Sequence, residues 1–162
     1  MHDHSYDDIL TFEKCIAFLD HLGIRTEFRD IGTNSFLPGF LIENGIIVID
    51  YQQLRHPGDI LHEAGHIAVV PSADRRCLTE EAIMHRVNRE AEEIMAIAWS
   101  YAACSYLLID PAFVFHEEGY RGGSSYITDS CDDKSYLGLS MLEGIGLTDV
   151  PSYPDMIRWL RE

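Results

Sequence analysis

The chain predicts an α+β fold, a small sheet with a hairpin packed on helices, and three observations carry that prediction. Apolar residues recur at helical spacing over Tyr6 to Leu22 and again beyond Thr79. Between these stretches lie short β-branched and aromatic runs grouped around a turn signal. The resulting order of helix, hairpin, helix, long helix, loop and helix is segregated, unlike the strict alternation of a parallel α/β sheet.

Each element has its own cause. Ile9, Leu10, Phe12, Ile16, Ala17 and Leu19 build the first helix, and Gly23 stops it. Ile24 to Arg29, Phe36 to Ile42 and Ile46 to Asp50 read as strands, with Glu43-Asn44-Gly45 as the turn between the last two. After Pro57-Gly58-Asp59, the run Ile60 to Val70 predicts a second helix ended by Pro71. Thr79 is a candidate N-cap, and Glu80 and Glu81 favour the positive end of a helix that would run unbroken to Ile109 before Asp110-Pro111. Its apolar stripe passes through Ile83, Val87, Ile94, Ala98 and Tyr101. Glu117 to Ser135, rich in Gly, Ser and Asp, predicts a long loop, either a lid over the site or a disordered segment. Helical stretches near Tyr136 to Leu142 and Ser152 to Leu160 follow, and residues 1–162 read as one domain. His2 and His4 belong to a frayed terminus.

Charge and cysteine use exclude whole classes of function. Across 162 residues, 12 Lys+Arg stand against 27 Asp+Glu, a formal charge of −15, and Arg75-Arg76 is the only basic pair. Such a surface repels a phosphate backbone, so direct nucleic-acid binding is not expected. Hydrophobic residues at 46% are too many for a disordered acidic chain, so a packed core is expected. Cys15, Cys77, Cys104 and Cys131 are widely spaced without a C-x-x-C pair, the pattern of incidental thiols. The acidic start lacks the basic and apolar regions of an export signal, and the apolar stretch Ile94 to Ile109 is too short for a membrane span. A cytoplasmic location is expected.

The chemistry sits in His62-Glu63-Ala64-Gly65-His66. On a helix, positions i and i+4 share a face about 6 Å apart along the axis, so both imidazoles can reach one ion. Two neutral imidazoles suit Zn²⁺, and the intervening glutamate is placed to take a proton from a water at the metal. A third ligand is required. Counting about 100° per residue from Ile83 along one continuous helix puts Glu90 near −20°, Glu93 near −80° and Glu92 near 180°. Glu92 should then face water, while Glu90 and Glu93 both remain candidates.

Ile46-Ile47-Val48-Ile49-Asp50, the H-E-x-x-H helix, and Glu93-Ile94-Met95-Ala96 with Trp99 and Ser100 together resemble the gluzincin metallopeptidases, in particular the ImmA/IrrE-like or minigluzincin group. The resemblance spans roughly residues 36–108 and implies a minimal zincin-like fold with a long backing helix. In that family's register Glu93, three residues before an Ala, is the third ligand. The chain departs from the pattern at Ile97, where the family carries Asn or Asp to hold a ligand histidine; losing such a partner costs about 10- to 100-fold in affinity or activity.

The resemblance implies zinc-dependent hydrolysis of a peptide bond. Zn²⁺ on His62, His66 and Glu93 would polarise a water, and Glu63 would carry its proton to the leaving amine. The strand Ile46 to Asp50 would offer an edge to an extended substrate. His116, Tyr120 and Arg121 are the candidates for a donor to the oxyanion. The substrate would be a particular protein, in this family often a transcriptional regulator, and the acidic surface favours a basic one. The alternative is a catalytically silent zinc-binding or protein-interaction module on the same fold.

Overall fold

The computed structural model describes residues 4–33 and 35–162, which form seven α-helices and a three-stranded sheet, an α+β arrangement. Helix α1 (Tyr6–Leu22) starts where the Ser5 hydroxyl accepts the Asp8 N–H at 3.1 Å and ends at the left-handed Gly23. It buries Phe12, Cys15, Phe18 and Leu19. His4 is tethered rather than frayed, its Nε2 bonding the Leu54 carbonyl at 3.0 Å, while His2 lies outside the described residues.

Strands β1 (Thr26–Phe28), β2 (Phe40–Glu43) and β3 (Ile46–Ile49) form a sheet in the order β1-β3-β2. The β2–β3 hairpin turns on Asn44 and Gly45, both at positive φ (52° and 72°), which is what a two-residue type I′ turn demands. β1 pairs parallel to β3. This corrects an expectation: β3 is central, paired on both sides, and has no edge to offer a substrate. The outer edge of β2 is also covered, since Phe40 and Ile42 are 0% and 1% exposed.

Helix α2 (Asp59–Val69) follows and is buried along nearly its whole length. A short α3 (Ser72–Arg75) leads to α4 (Glu80–His85), which Thr79 caps by accepting the Ala82 N–H at 3.0 Å. The continuous helix expected from Thr79 to Ile109 is broken. Arg86 is extended, Val87 is fully exposed, and α5 (Arg89–Leu107) begins afresh. Val87 and Asn88 are weak helix formers, and Arg86 does better outside the helix, gripping Glu92 at 2.6 and 2.9 Å and Asp74 at 3.1 Å. The break resets the helical register, so Glu92 is buried at 4% exposure instead of facing water.

Two further corrections concern the C-terminal third. Within the stretch expected to be a loop, Ser124–Asp132 forms α6 and sinks Ile127, Ser130 and Cys131 into the core. Packing there overrides a Ser- and Asp-rich composition of poor helix propensity. α7 (Leu137–Gly144) forms as expected, but residues 152–160 are turns around Pro154, and Trp159 packs on Phe18 and Trp99 instead of riding a helix. All four cysteines are free. Among the described residues, no helix is long and apolar enough to cross a membrane.

Candidate metal centre

Asp59, His62, Glu63 and His66 stand at i, i+3, i+4 and i+7 on α2, the spacing that puts them on one face. That face turns towards α5, which lies close enough for the Ser100 hydroxyl to reach the Leu61 carbonyl at 3.3 Å. α5 in turn presents Glu93 between the two histidines. His62 Nε2 lies 3.2 Å from one Glu93 carboxylate oxygen, His66 Nε2 lies 3.1 Å from the other, and the two Nε2 atoms are 3.1 Å apart. Donors about 2.0–2.1 Å from one tetrahedral ion would stand about 3.3 Å from each other, so these separations are close to those of a ready-made ligand set. The buried His-x-x-x-His pair and the glutamate could hold a metal ion.

Charge in the site follows from its packing. Burial alone would raise the Glu93 carboxyl, but hydrogen bonds from His62 and His66 outweigh it and hold the group well below the usual carboxylate range. Among the described residues Glu63 has no such donors. Burial pushes it up to about 7, against the opposing charge of His66. Two carboxyls on adjoining faces are thus driven apart, one kept as an anionic donor to cations and the other poised to exchange a proton. His62 Nδ1 is buried with no hydrogen-bond partner among the described residues. The chain carries Ile97, not a polar side chain, one turn after Glu93.

The centre lies in a cleft of about 430 Å³. Phe36, Leu37 and Pro38 line it, with Ile83 and Met84 of α4. On its His62 side stands the 116–120 segment: Tyr120 meets the His62 ring edge-on at 6.2 Å, and the His116 ring stacks on His56 at 3.7 Å. His116 Nε2 bonds Asp59 Oδ1 at 2.8 Å, and its Nδ1 accepts the Gly119 N–H at 3.1 Å.

The structure brings together His62, Glu63, His66, Glu93, His116 and Tyr120. Glu90 is exposed and outside the cleft, so of the two glutamates only Glu93 meets the histidines. Arg121 is exposed, at φ 50°, and does not line the cleft. Sequence reasoning missed Asp59, His56 and the apolar wall. Asp59 had a signal, lying one turn before His62 on the same helical face; His56 and residues 36–38 lie outside the regular elements and have none, and Ile83 and Met84 reach the cleft only because α4 breaks from α5. Comparison of the chain with protein-family models, curated proteins and solved structures finds no match.

Proposed function

We propose that this protein is a zinc-dependent peptidase of the gluzincin type, resembling the ImmA/IrrE-like group, that hydrolyses peptide bonds in a particular protein substrate. The observation that carries this reading is the convergence of His62 Nε2, His66 Nε2 and the Glu93 carboxylate on one point, with Glu63 buried beside them. Two imidazoles and one carboxylate are the donor set of a catalytic zinc, which keeps its fourth position open. Bound there, zinc supplies Lewis acidity to a carbonyl or a water.

The chain's own residues do the rest. Glu63 accepts a proton from the attacking water and passes it to the leaving amine, a task suited to a carboxyl raised to about 7. Tyr120 lines the same cleft, and its hydroxyl makes no hydrogen bond among the described residues, leaving it free to donate to the developing oxyanion. Phe36, Leu37, Ile83 and Met84 line the same cleft with apolar surface, Phe36 and Met84 being largely exposed. The −15 charge draws in basic segments, such as those of a DNA-binding regulator, and the protein works in the cytoplasm.

The decisive experiment measures metal content and hydrolysis of a peptide library by wild type and Glu63→Gln. Wild type should carry one zinc and cleave; the variant should keep its zinc and lose activity by about 10²–10⁴-fold. Equal activity of the two, with zinc in neither, overturns the proposal. The unpartnered His62 Nδ1, in a chain with Ile97 at the family's polar position, favours one second reading, a zinc-binding interaction module without turnover. Stoichiometric zinc with no peptide cleaved would select it.

A further inference from the structure

His116 sits between two partners that dictate its tautomer. The Gly119 N–H can only donate, so Nδ1, 3.1 Å away, is the acceptor and carries no hydrogen. Nε2 then carries the ring proton and donates it to Asp59 Oδ1 at 2.8 Å. No N–H of His116 is left for a substrate oxygen. The ring is held on its face by His56, at 3.7 Å and 12° from parallel, and His56 Nε2 is in turn 3.0 Å from the Glu118 carboxylate. A side chain at position 119 would meet the ring at 2.6 Å, so glycine allows this close approach. The next residue is Tyr120, packed between Phe115 at 5.3 Å and His62 at 6.2 Å.

We infer that His116 is a positioning residue: by bridging Asp59 on α2 to the Gly119 backbone, it fixes the 116–120 segment so that Tyr120 is held against His62 in the cleft. The ring ties the segment to the helix that bears both metal-ligating histidines, so any displacement of α2 carries Tyr120 with it. The hydroxyl is therefore preorganised for an oxyanion and needs no loop rearrangement during reaction. Its catalytic consequence rests on the peptidase reading above, whereas the clamp itself does not.

The test compares wild type, His116→Ala, His116→Gln, Tyr120→Phe and the double variant His116→Ala/Tyr120→Phe. Gln offers one acceptor and one donor at separations near those of the imidazole, so it should restore the bridge. Three readouts are needed: kcat and KM on a peptide that wild type cleaves, zinc content, and amide hydrogen exchange at Gly119. The clamp predicts that His116→Ala lowers kcat by about 10²-fold, as Tyr120→Phe does, with KM and zinc unchanged. The double variant should be no worse than Tyr120→Phe alone, and the Gly119 amide should exchange fast in His116→Ala and slowly in wild type and His116→Gln. Additive losses, or a Gly119 amide equally protected with and without the imidazole, overturn the inference. If wild type cleaves nothing, the peptidase reading falls, and Gly119 exchange alone decides: protection lost in His116→Ala upholds the clamp, and protection retained removes it.

Discussion

Gly65 of α2 rests directly on the backbone of Ala96 in α5: a Cβ at position 65 would lie 2.8 Å from the Ala96 carbonyl oxygen and 3.0 Å from its Cα. Neither atom can step aside as a flexible side chain would. His62 and His66 flank Gly65 on one helix and Glu93 precedes Ala96 on the other, so this contact sets the span across which the three donors converge. Gly65→Ala should push the helices apart, costing about 1–3 kcal/mol of stability from overpacking. It should also weaken metal binding at the same time. Urea unfolding midpoints and chelator competition measure the two effects; unchanged metal affinity in a destabilised variant would separate the packing from the site.

Glu93 and Glu90 make opposite predictions. Glu93 reaches both imidazoles, whereas Glu90 is exposed and outside the cleft. Elemental analysis after purification without chelator should find metal lost in Glu93→Ala and retained in Glu90→Ala. The reverse pattern would remove Glu93 from the ligand set.

How much of this was readable in advance depends on whether a feature was local. The i, i+4 spacing of His62 and His66 and the helical stripe that ends at Gly23 are properties of a few neighbouring residues, and both appear as expected. Preferring Glu93 to Glu90 rested on a resemblance alone, because helical counting from Ile83 left both open; in the structure it is Glu93 that meets the two histidines. The same counting misplaced Glu92 because Arg86 interrupts the helix through partners on α3 and α5 that no local pattern reveals. The central place of β3 likewise depends on β1, which returns from earlier in the chain to pair with it. The clamp on Tyr120 joins residues 57 positions apart, Asp59 and His116, and nothing in either neighbourhood announces the other.

Arg86, partly exposed, and the buried Glu92 form the pair that closes the helix break. Both guanidinium bonds reach a carboxylate that is almost wholly shielded from water. Removing Arg86 strands the shielded Glu92 carboxylate, so Arg86→Ala should cost about 3 kcal/mol, whereas Glu92→Ala leaves Arg86 its bond to Asp74 and should cost about 1 kcal/mol. Asp74 shares Arg86 but is half exposed, and Asp74→Ala should cost about 0.5 kcal/mol. Chemical denaturation of the three variants checks the ranking. Similar losses for all three would mean that the pair is no better shielded than an ordinary surface contact.

The His116–Asp59 pair should make stability depend on pH with a definite sign. The hydrogen bond to Asp59 raises the His116 imidazole above its usual value; burial opposes it, and the charges of Asp59 and Glu118 add to it. The facing groups are Asp59 from α2, His56 from the β3–α2 connection, and Glu118 and Tyr120 from its own segment. Because the folded value is raised, the pair's contribution is fully present below the unfolded value of about 6.5 and is lost as pH rises through the folded one. Wild type should therefore exceed Asp59→Asn by about 1 kcal/mol at about pH 5.5, and this difference should shrink towards about pH 8.5. Protonation also places a hydrogen on Nδ1, where the Gly119 N–H already points, so Gly119 protection should run the other way and be greatest at alkaline pH. Urea midpoints across this range, read beside Gly119 exchange, test both slopes together. A stability difference that grows with pH would show that His116 enters the folded protein as a neutral ring throughout.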